Sequence, residues 1–173
     1  MCDISRMAGG RTGHDAAAAL GHFMISWAHL ESVLEVAIHK QLGTDPVKSS
    51  IVTAGLQFKS KTSVLLSLLN LDAKKYDAAI KTLKKIRNRS ERNDIVHGIV
   101  AYHPDGIGFM RRRVDEKFKS TKLLYSPSKL TQLAEEFEAL SVSLAGALGL
   151  KPEEFNPFFH SAHKAANKAS GSP

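Results

Sequence analysis

Lys84-Lys85-Ile86-Arg87-Asn88-Arg89-Ser90-Glu91-Arg92-Asn93-Asp94-Ile95-Val96-His97-Gly98 is the stretch on which the reading of this chain turns. Just upstream and into it, Tyr76, Ala79, Ile80, Leu83 and Ile86 recur at three- and four-residue steps, the spacing of one apolar stripe on an α-helix. The stretch therefore reads as the last turns of an amphipathic helix that faces a core. Continued at the same steps, the stripe passes through Ser90, Asn93 and His97, so the face turns polar where the helix is about to end. Burying amide and imidazole groups costs free energy unless partners satisfy them, which points to a cleft or a subunit interface at that end. Asn93 and His97, four residues apart, share one face of such a helix. Arg92 sits roughly 140° round the helix from His97, a placement better suited to a site shared with a second copy. Gly98 is the expected left-handed stop.

Towards the N-terminus, Asp72 is the expected cap of this helix, and the segment from Leu56 to Leu71 reads as another, with Phe58, Val64, Leu65, Leu68 and Leu69 inward. Lys59 and Lys61 lie near its start, where the helix dipole gives a cation no help, so they read as solvated or as waiting for an anion. Thr44-Asp45-Pro46 has the cap-then-proline order that opens a short helix running to about Gly55. From Ala16 to Leu42 the set Leu20, Phe23, Met24, Trp27, Leu30, Leu34, Ala37 and Ile38 keeps helical spacing, with Asp15 as cap and Gly43 as stop. Glu31, four residues after Trp27, is placed to pair with an arginine of the central stretch; the plainer reading is a carboxylate at the stripe's edge.

Towards the C-terminus the pattern changes. The segments from Ile99 to His103 and from Ile107 to Arg111 are β-friendly and flank Pro104-Asp105-Gly106, which predicts a hairpin, and the run from Lys117 to Tyr125 predicts a third short strand. Arg111 and Arg113 fall on one side of this hairpin by alternation, either as a phosphate-contacting arm or as charges that keep an edge strand soluble. Ser126-Pro127-Ser128 opens a last long helix with Leu130, Leu133, Ala134, Phe137, Leu140, Leu144 and Leu148 at core spacing, and Gly149 ends it. The fold class is mainly α with a small β-hairpin. Residues 1–13 form a lead-in, residues 14–149 one helical domain, and residues 150–173 a tail that is expected to be partly disordered.

Lys and Arg exceed Asp and Glu by 24 to 17, a formal charge of +7, which fits polyanionic partners or, more plainly, a charge kept for solubility. Cys2 is the only cysteine, so an intrachain disulfide and a thiolate metal cluster are both excluded, and a cytoplasmic location is expected. No run of about 18 apolar residues is present, and the opening Met-Cys-Asp-Ile-Ser lacks the order of a secretory signal, so neither export nor membrane insertion is expected.

The segment Arg92-Asn93-Asp94-Ile95-Val96-His97 matches an Arg-polar-x-x-x-His pattern, and on it the chain resembles the HEPN superfamily, small helical domains that include many prokaryotic ribonuclease toxins. Phe23, Trp27, Leu30 and Glu31 on the first helix and the basic segment Phe58 to Lys61 widen the resemblance, which covers roughly residues 14–149. It implies a bundle of four to five helices, a homodimer in which two copies of the motif meet, and RNA as substrate. An antitoxin or another protein partner is compatible with it.

The residue types carry a consistent chemistry. His97 has an unshifted pKa near neutrality and can take a proton from a ribose 2′-hydroxyl or return one to the leaving oxygen. Arg92 is an always-charged planar fork suited to a crowded phosphate, and Asn93 can hold the imidazole or a phosphate oxygen. Arg89, Arg111 and Arg113 are candidates for substrate binding, and Glu31 for support. This scheme calls for no metal and no cofactor. His160 and His163 are the only other closely spaced histidines and lack a completing ligand set. Gly-rich phosphate loops, dinucleotide fingerprints and serine-nucleophile elbows are missing. Two functions follow: a metal-independent endoribonuclease, or a non-catalytic helical dimer that binds RNA or a protein and uses the polar helix end as an interface.

Overall fold

The structure, a computed structural model, describes residues 10–89, 95, 98–103, 105–115 and 117–169. Among these the chain is mainly helical: α1 (Gly10–Leu42), α2 (Pro46–Ala54), α3 (Phe58–Asn70), α4 (Asp77–Arg87), β1 (Ile99–His103), β2 (Gly106–Asp115), β3 (Lys117–Tyr125), α5 (Pro127–Ala147), a 3₁₀ turn (Pro152–Glu154) and α6 (Phe155–Ala169). The strands form one antiparallel sheet in the order β1-β2-β3. No helix among the described residues is long and apolar enough to cross a membrane. The chain divides into two compact units, Met1–Trp27 with Arg89–Glu138, and Ala28–Asn88 with Ala139–Pro173.

In the first unit Ala16, Ala19, Phe23 and Trp27 of α1 are buried, as are Leu130, Leu133, Ala134 and Phe137 of α5. The Phe137 ring meets Phe23 and Trp27 edge-on, with centroids 5.6 and 5.0 Å away. Edge-to-face pairs set the positive rim of one ring against the negative face of another and add to the area term. The sheet buries Ile107 and Phe109, two residues apart on β2 and hence on one face, and Phe109 packs edge-on to Tyr125 at 5.7 Å. The opposite face leaves Ile99, Met110 and Leu124 exposed. Gly106 makes the hairpin possible: its φ is 152°, and a Cβ there would stand 2.2 Å from the Tyr125 carbonyl oxygen.

In the second unit Leu30, Val33, Leu34, Val36, Ala37 and Ile38 are buried on α1. Burial on several sides of one helix means that neighbours surround it. Leu65 and Leu69 of α3, Ala79, Ile80, Leu83 and Ile86 of α4, Leu144 of α5 and Leu148 just beyond it add to this core. Asp45 accepts hydrogen bonds from the Val47 and Lys48 amides, the N-cap that the sequence implies. Helix α5 ends at Ala147, and Gly149 (φ 60°) turns the chain away: the Leu150 amide donates to Ala145 and the Gly149 amide to Gly146, two hydrogen bonds that satisfy carbonyls left open at the helix end. The Lys40 ammonium donates to the Gly149 carbonyl at 2.8 Å and pairs with Glu154 at 3.0 Å.

Four expectations about where helices begin and end change. Helix α1 begins at Gly10, upstream of Asp15, because extension of an existing helix costs little once Ala16–Ala19 have nucleated it. Asp72 does not cap α4; its carboxylate accepts from the Lys75 amide within a turn, and α4 starts at Asp77. Residues 155–169, read as tail, form α6, with Phe158 buried and tilted against His39 at 5.1 Å while Phe155 stacks on His29 at 6.4 Å. The fourth concerns the end of α4, which bears on the site.

Two outcomes test this core. Phe137→Ala empties the space between Phe23 and Trp27 and should cost about 3–5 kcal/mol in urea unfolding, whereas Val142→Ser, on the exposed side of the same helix, should stay within about 0.5 kcal/mol. The Lys151 amide first, and the Lys40 ammonium second, hold the Glu154 carboxyl below its usual 4.5. A depressed carboxyl stabilises the fold above that ordinary value and loses the contribution as pH falls through the lowered one. Melting curves should therefore drop more steeply below about pH 4.5 for wild type than for Glu154→Gln, by at most about 1 kcal/mol since the pair is solvent-screened.

Candidate functional site

Helix α4 carries its apolar stripe as the sequence implies, with Ala79, Ile80, Leu83 and Ile86 buried. It then ends earlier than expected, at Arg87, with Asn88 as C-cap and its amide donating to Lys84 at 3.3 Å. Arg89 lies outside the helix, so the buried stripe of α4 has Ile86 as its last member. The cause is local: Lys84, Lys85 and Arg87 suit the negative end of a helix dipole, and asparagine terminates helices readily. Beyond this point Ile95 is helical and fully shielded at 4% exposure, and Gly98 forms a bend leading into β1. Arg92, Asn93 and His97 lie outside the described residues.

Arg89 does not stand free in solvent as a bare phosphate contact. Its Nη2 lies 2.6 Å from Glu136 Oε2 on α5, an ion pair in which both side chains are about one third exposed (35% and 33%) and that oxygen is closed to water without an aligned hydrogen bond. A carboxylate oxygen shielded in this way needs a cation close by, so Arg89 serves first to neutralise Glu136. Glu31 is half-buried and makes no hydrogen bond or ion pair to a described residue. Arg111 and Arg113 stand on β2 at register positions opposite Thr121 and Lys119 of β3.

Lys61 corrects the sequence reading most clearly. It is 7% exposed rather than solvated, and its ammonium pairs with Glu35 of α1. The carboxylate that α1 uses to hold a basic residue is thus Glu35, one turn after Glu31. Helical spacing alone does not distinguish the two, because the choice depends on where α3 packs.

Two histidine clusters also escaped the sequence. His22 Nε2 lies 2.8 Å from Glu138 Oε1, and the buried Ser26 hydroxyl donates to the same oxygen at 2.9 Å. The ring lines a shallow groove with Asp15, Pro127, Ser128 and Thr131. His39 Nδ1 lies 3.1 Å from Ser49 Oγ, which in turn lies 2.7 Å from Thr44 Oγ1. The first cluster ties α1 to α5, and the second ties α1 to the start of α2. A serine–histidine contact alone does not make a nucleophile. Ser49 is 1% exposed and so closed to substrate. Among the described residues no group of three or more His, Cys, Asp or Glu could hold a metal.

No protein-family model, no curated protein and no solved structure matches this chain.

The Glu35–Lys61 pair yields a direct test. Lys61→Ala strands the Glu35 charge and should cost about 3 kcal/mol in guanidinium unfolding, while Lys61→Met combined with Glu35→Leu should recover most of that loss.

Proposed function

We propose that this chain is a HEPN-like, metal-independent endoribonuclease that acts as a homodimer, with Arg92, Asn93 and His97 at a site to which both copies contribute. The observation that carries this reading is the Arg92-Asn93-Asp94-Ile95-Val96-His97 segment itself, between the amphipathic helix α4 and the strand β1. The mainly helical architecture is compatible with a HEPN-type bundle of four to five helices. The +7 formal charge suits a polyanionic substrate.

In this reading His97 takes the proton of a ribose 2′-hydroxyl, whose oxygen attacks the adjacent phosphorus. The bond to the 5′-oxygen breaks, that oxygen receives a proton, and the products are a 2′,3′-cyclic phosphate and a 5′-hydroxyl. Arg92 stabilises the extra charge on the phosphorane, and Asn93 holds His97 or a phosphate oxygen. DNA is not a substrate because the nucleophile is missing from it. Glu31 supports an arginine of the motif, and Arg89 adds positive potential while it neutralises Glu136. Toxin, defence and RNA-processing roles in a cytoplasm, with or without an antitoxin, all use this chemistry.

Purified protein incubated with total RNA in chelator should produce fragments ending in 2′,3′-cyclic phosphate. His97→Ala and Arg92→Ala should each slow cleavage by about 10²-fold or more. The proposal fails if wild type leaves the RNA pool intact, if cutting requires a divalent ion, or if both variants cut like wild type.

A further inference from the structure

Helix α4 divides into two faces. Ala79, Ile80, Leu83 and Ile86 are buried, while Asp77, Ala78, Lys81, Lys84 and Lys85 are exposed on the opposite side, with Arg87 exposed at the C-terminal end. Lys74 and Lys75 lead into the helix and are exposed as well. Residues 73–88 thus hold six cations against a single acid, Asp77.

The anions close to these cations are already used. Asp77 pairs with Lys81 at 2.7 Å, one turn along the helix. Asp72 accepts the Lys75 amide, and the Lys75 ammonium lies over the Tyr76 ring, 4.9 Å from its centroid. Lys84, Lys85 and Arg87 have no anionic partner among the described residues.

Helix stability explains only part of this charge. The dipole favours cations in the last turn, where Lys84, Lys85 and Arg87 sit, but it opposes Lys74 and Lys75 ahead of the N-terminus. Lys81 with Lys84 and Lys85 sets like charges at three- and four-residue spacing, which costs the helix stability. The face also lacks what a protein or a membrane would need. Ala78 is its only exposed apolar residue, whereas protein contacts are anchored by large side chains and surface-bound helices bury an apolar stripe in lipid. A nucleic-acid backbone is held by charge alone. Helical geometry keeps Lys81, Lys84 and Lys85 on one side within about 6 Å along the axis, so their flexible stems can meet neighbouring phosphates of one strand.

We infer that the exposed face of α4 binds the backbone of single-stranded RNA, with Lys81, Lys84 and Lys85 as the phosphate contacts. Arg87 closes this face, and the motif begins five residues later in sequence at Arg92. The choice of RNA rests on the ribonuclease reading above; the surface itself rests on the exposed and uncompensated charge of α4. It grips phosphate without reading bases, so it supplies affinity rather than sequence preference.

The test uses full-length protein in a His97→Ala background, so that binding is read without cleavage, with a labelled single-stranded RNA oligonucleotide titrated at several salt concentrations. Lys81→Gln/Lys84→Gln/Lys85→Gln should reduce the slope of log affinity against log salt by about 2. The charge-keeping set Lys81→Arg/Lys84→Arg/Lys85→Arg should retain the slope, which separates lost contacts from lost folding. Lys129→Gln/Lys164→Gln/Lys168→Gln removes the same charge from exposed positions on α5 and α6 and should leave the slope near that of the parent. Equal losses from the two glutamine sets overturn the α4 surface in favour of diffuse attraction, and an unchanged slope in the α4 set overturns it outright. Binding to phosphatidylserine vesicles that the α4 set abolishes, with RNA binding unaffected, overturns it in favour of a membrane contact. RNA bound with the expected slopes but left uncut by wild type defeats the catalytic reading and leaves the surface. RNA cut by wild type, and cut equally well when the α4 set of unchanged slope is placed in that background, defeats the surface and leaves catalysis.

Discussion

Burial of the apolar stripe on α1 is the constraint on which the remaining elements depend. The stripe begins at Ala16 and Phe23, passes Trp27 and reaches Ile38, so one helix supplies core residues to both compact units. At 33 residues it spans roughly 50 Å, far more than an isolated short helix can keep ordered without packing partners. Those partners differ along its length. Near its middle Phe23 and Trp27 take the Phe137 ring edge-on, and from Leu30 onward residues on several sides are enclosed. Polar ties sit beside each region: Ser26 and His22 on Glu138 in one unit, Glu35 on Lys61 and Lys40 on Glu154 in the other.

The part of this organisation that repeats locally was legible in the chain. Phe23, Trp27, Leu30 and Leu34 declare α1 by their spacing, and Asp45-Pro46 declares the start of α2. Pro104-Asp105-Gly106 between two β-friendly runs declares the hairpin, and the third strand follows from the run ending at Tyr125. What was not legible depends on contacts between residues far apart in sequence. Lys61 looks solvated until α3 is laid beside Glu35, 26 residues earlier. Phe155 and Phe158 look like a loose tail until His29 and His39 are known to receive them. The stop at Arg87 is an intermediate case: its signals, three basic residues and then Asn88, were present, but the longer periodicity toward His97 outweighed them. As for the candidate site, the motif residues are a sequence observation. Arg89 illustrates the limit of reading charge alone, since nothing near it announces that Glu136, 47 positions on, claims its guanidinium.

Charge in this molecule is used in two opposite ways. Inside the units several buried or half-buried ions have a counterpart: Lys61 with Glu35, Arg89 with Glu136, Lys40 with Glu154. These pairs cost desolvation and repay it through short contacts, so they fix which helix meets which more than they raise stability. On the β2–β3 ribbon the ladder sets cation opposite cation at Arg113 and Lys119. That like-charge register contrasts with the paired ions that join the helices.

Neither compact unit is a continuous run of sequence. The first is assembled from an opening segment and a later one closing at Glu138, and the second encloses the residues between them together with those that follow. During vectorial synthesis, residues up to Trp27 therefore leave the ribosome long before the strands and α5 that complete their core, and no single cut of the polypeptide would release either unit whole. The nascent chain therefore carries Phe23 and Trp27 without the Phe137 ring through most of its own translation.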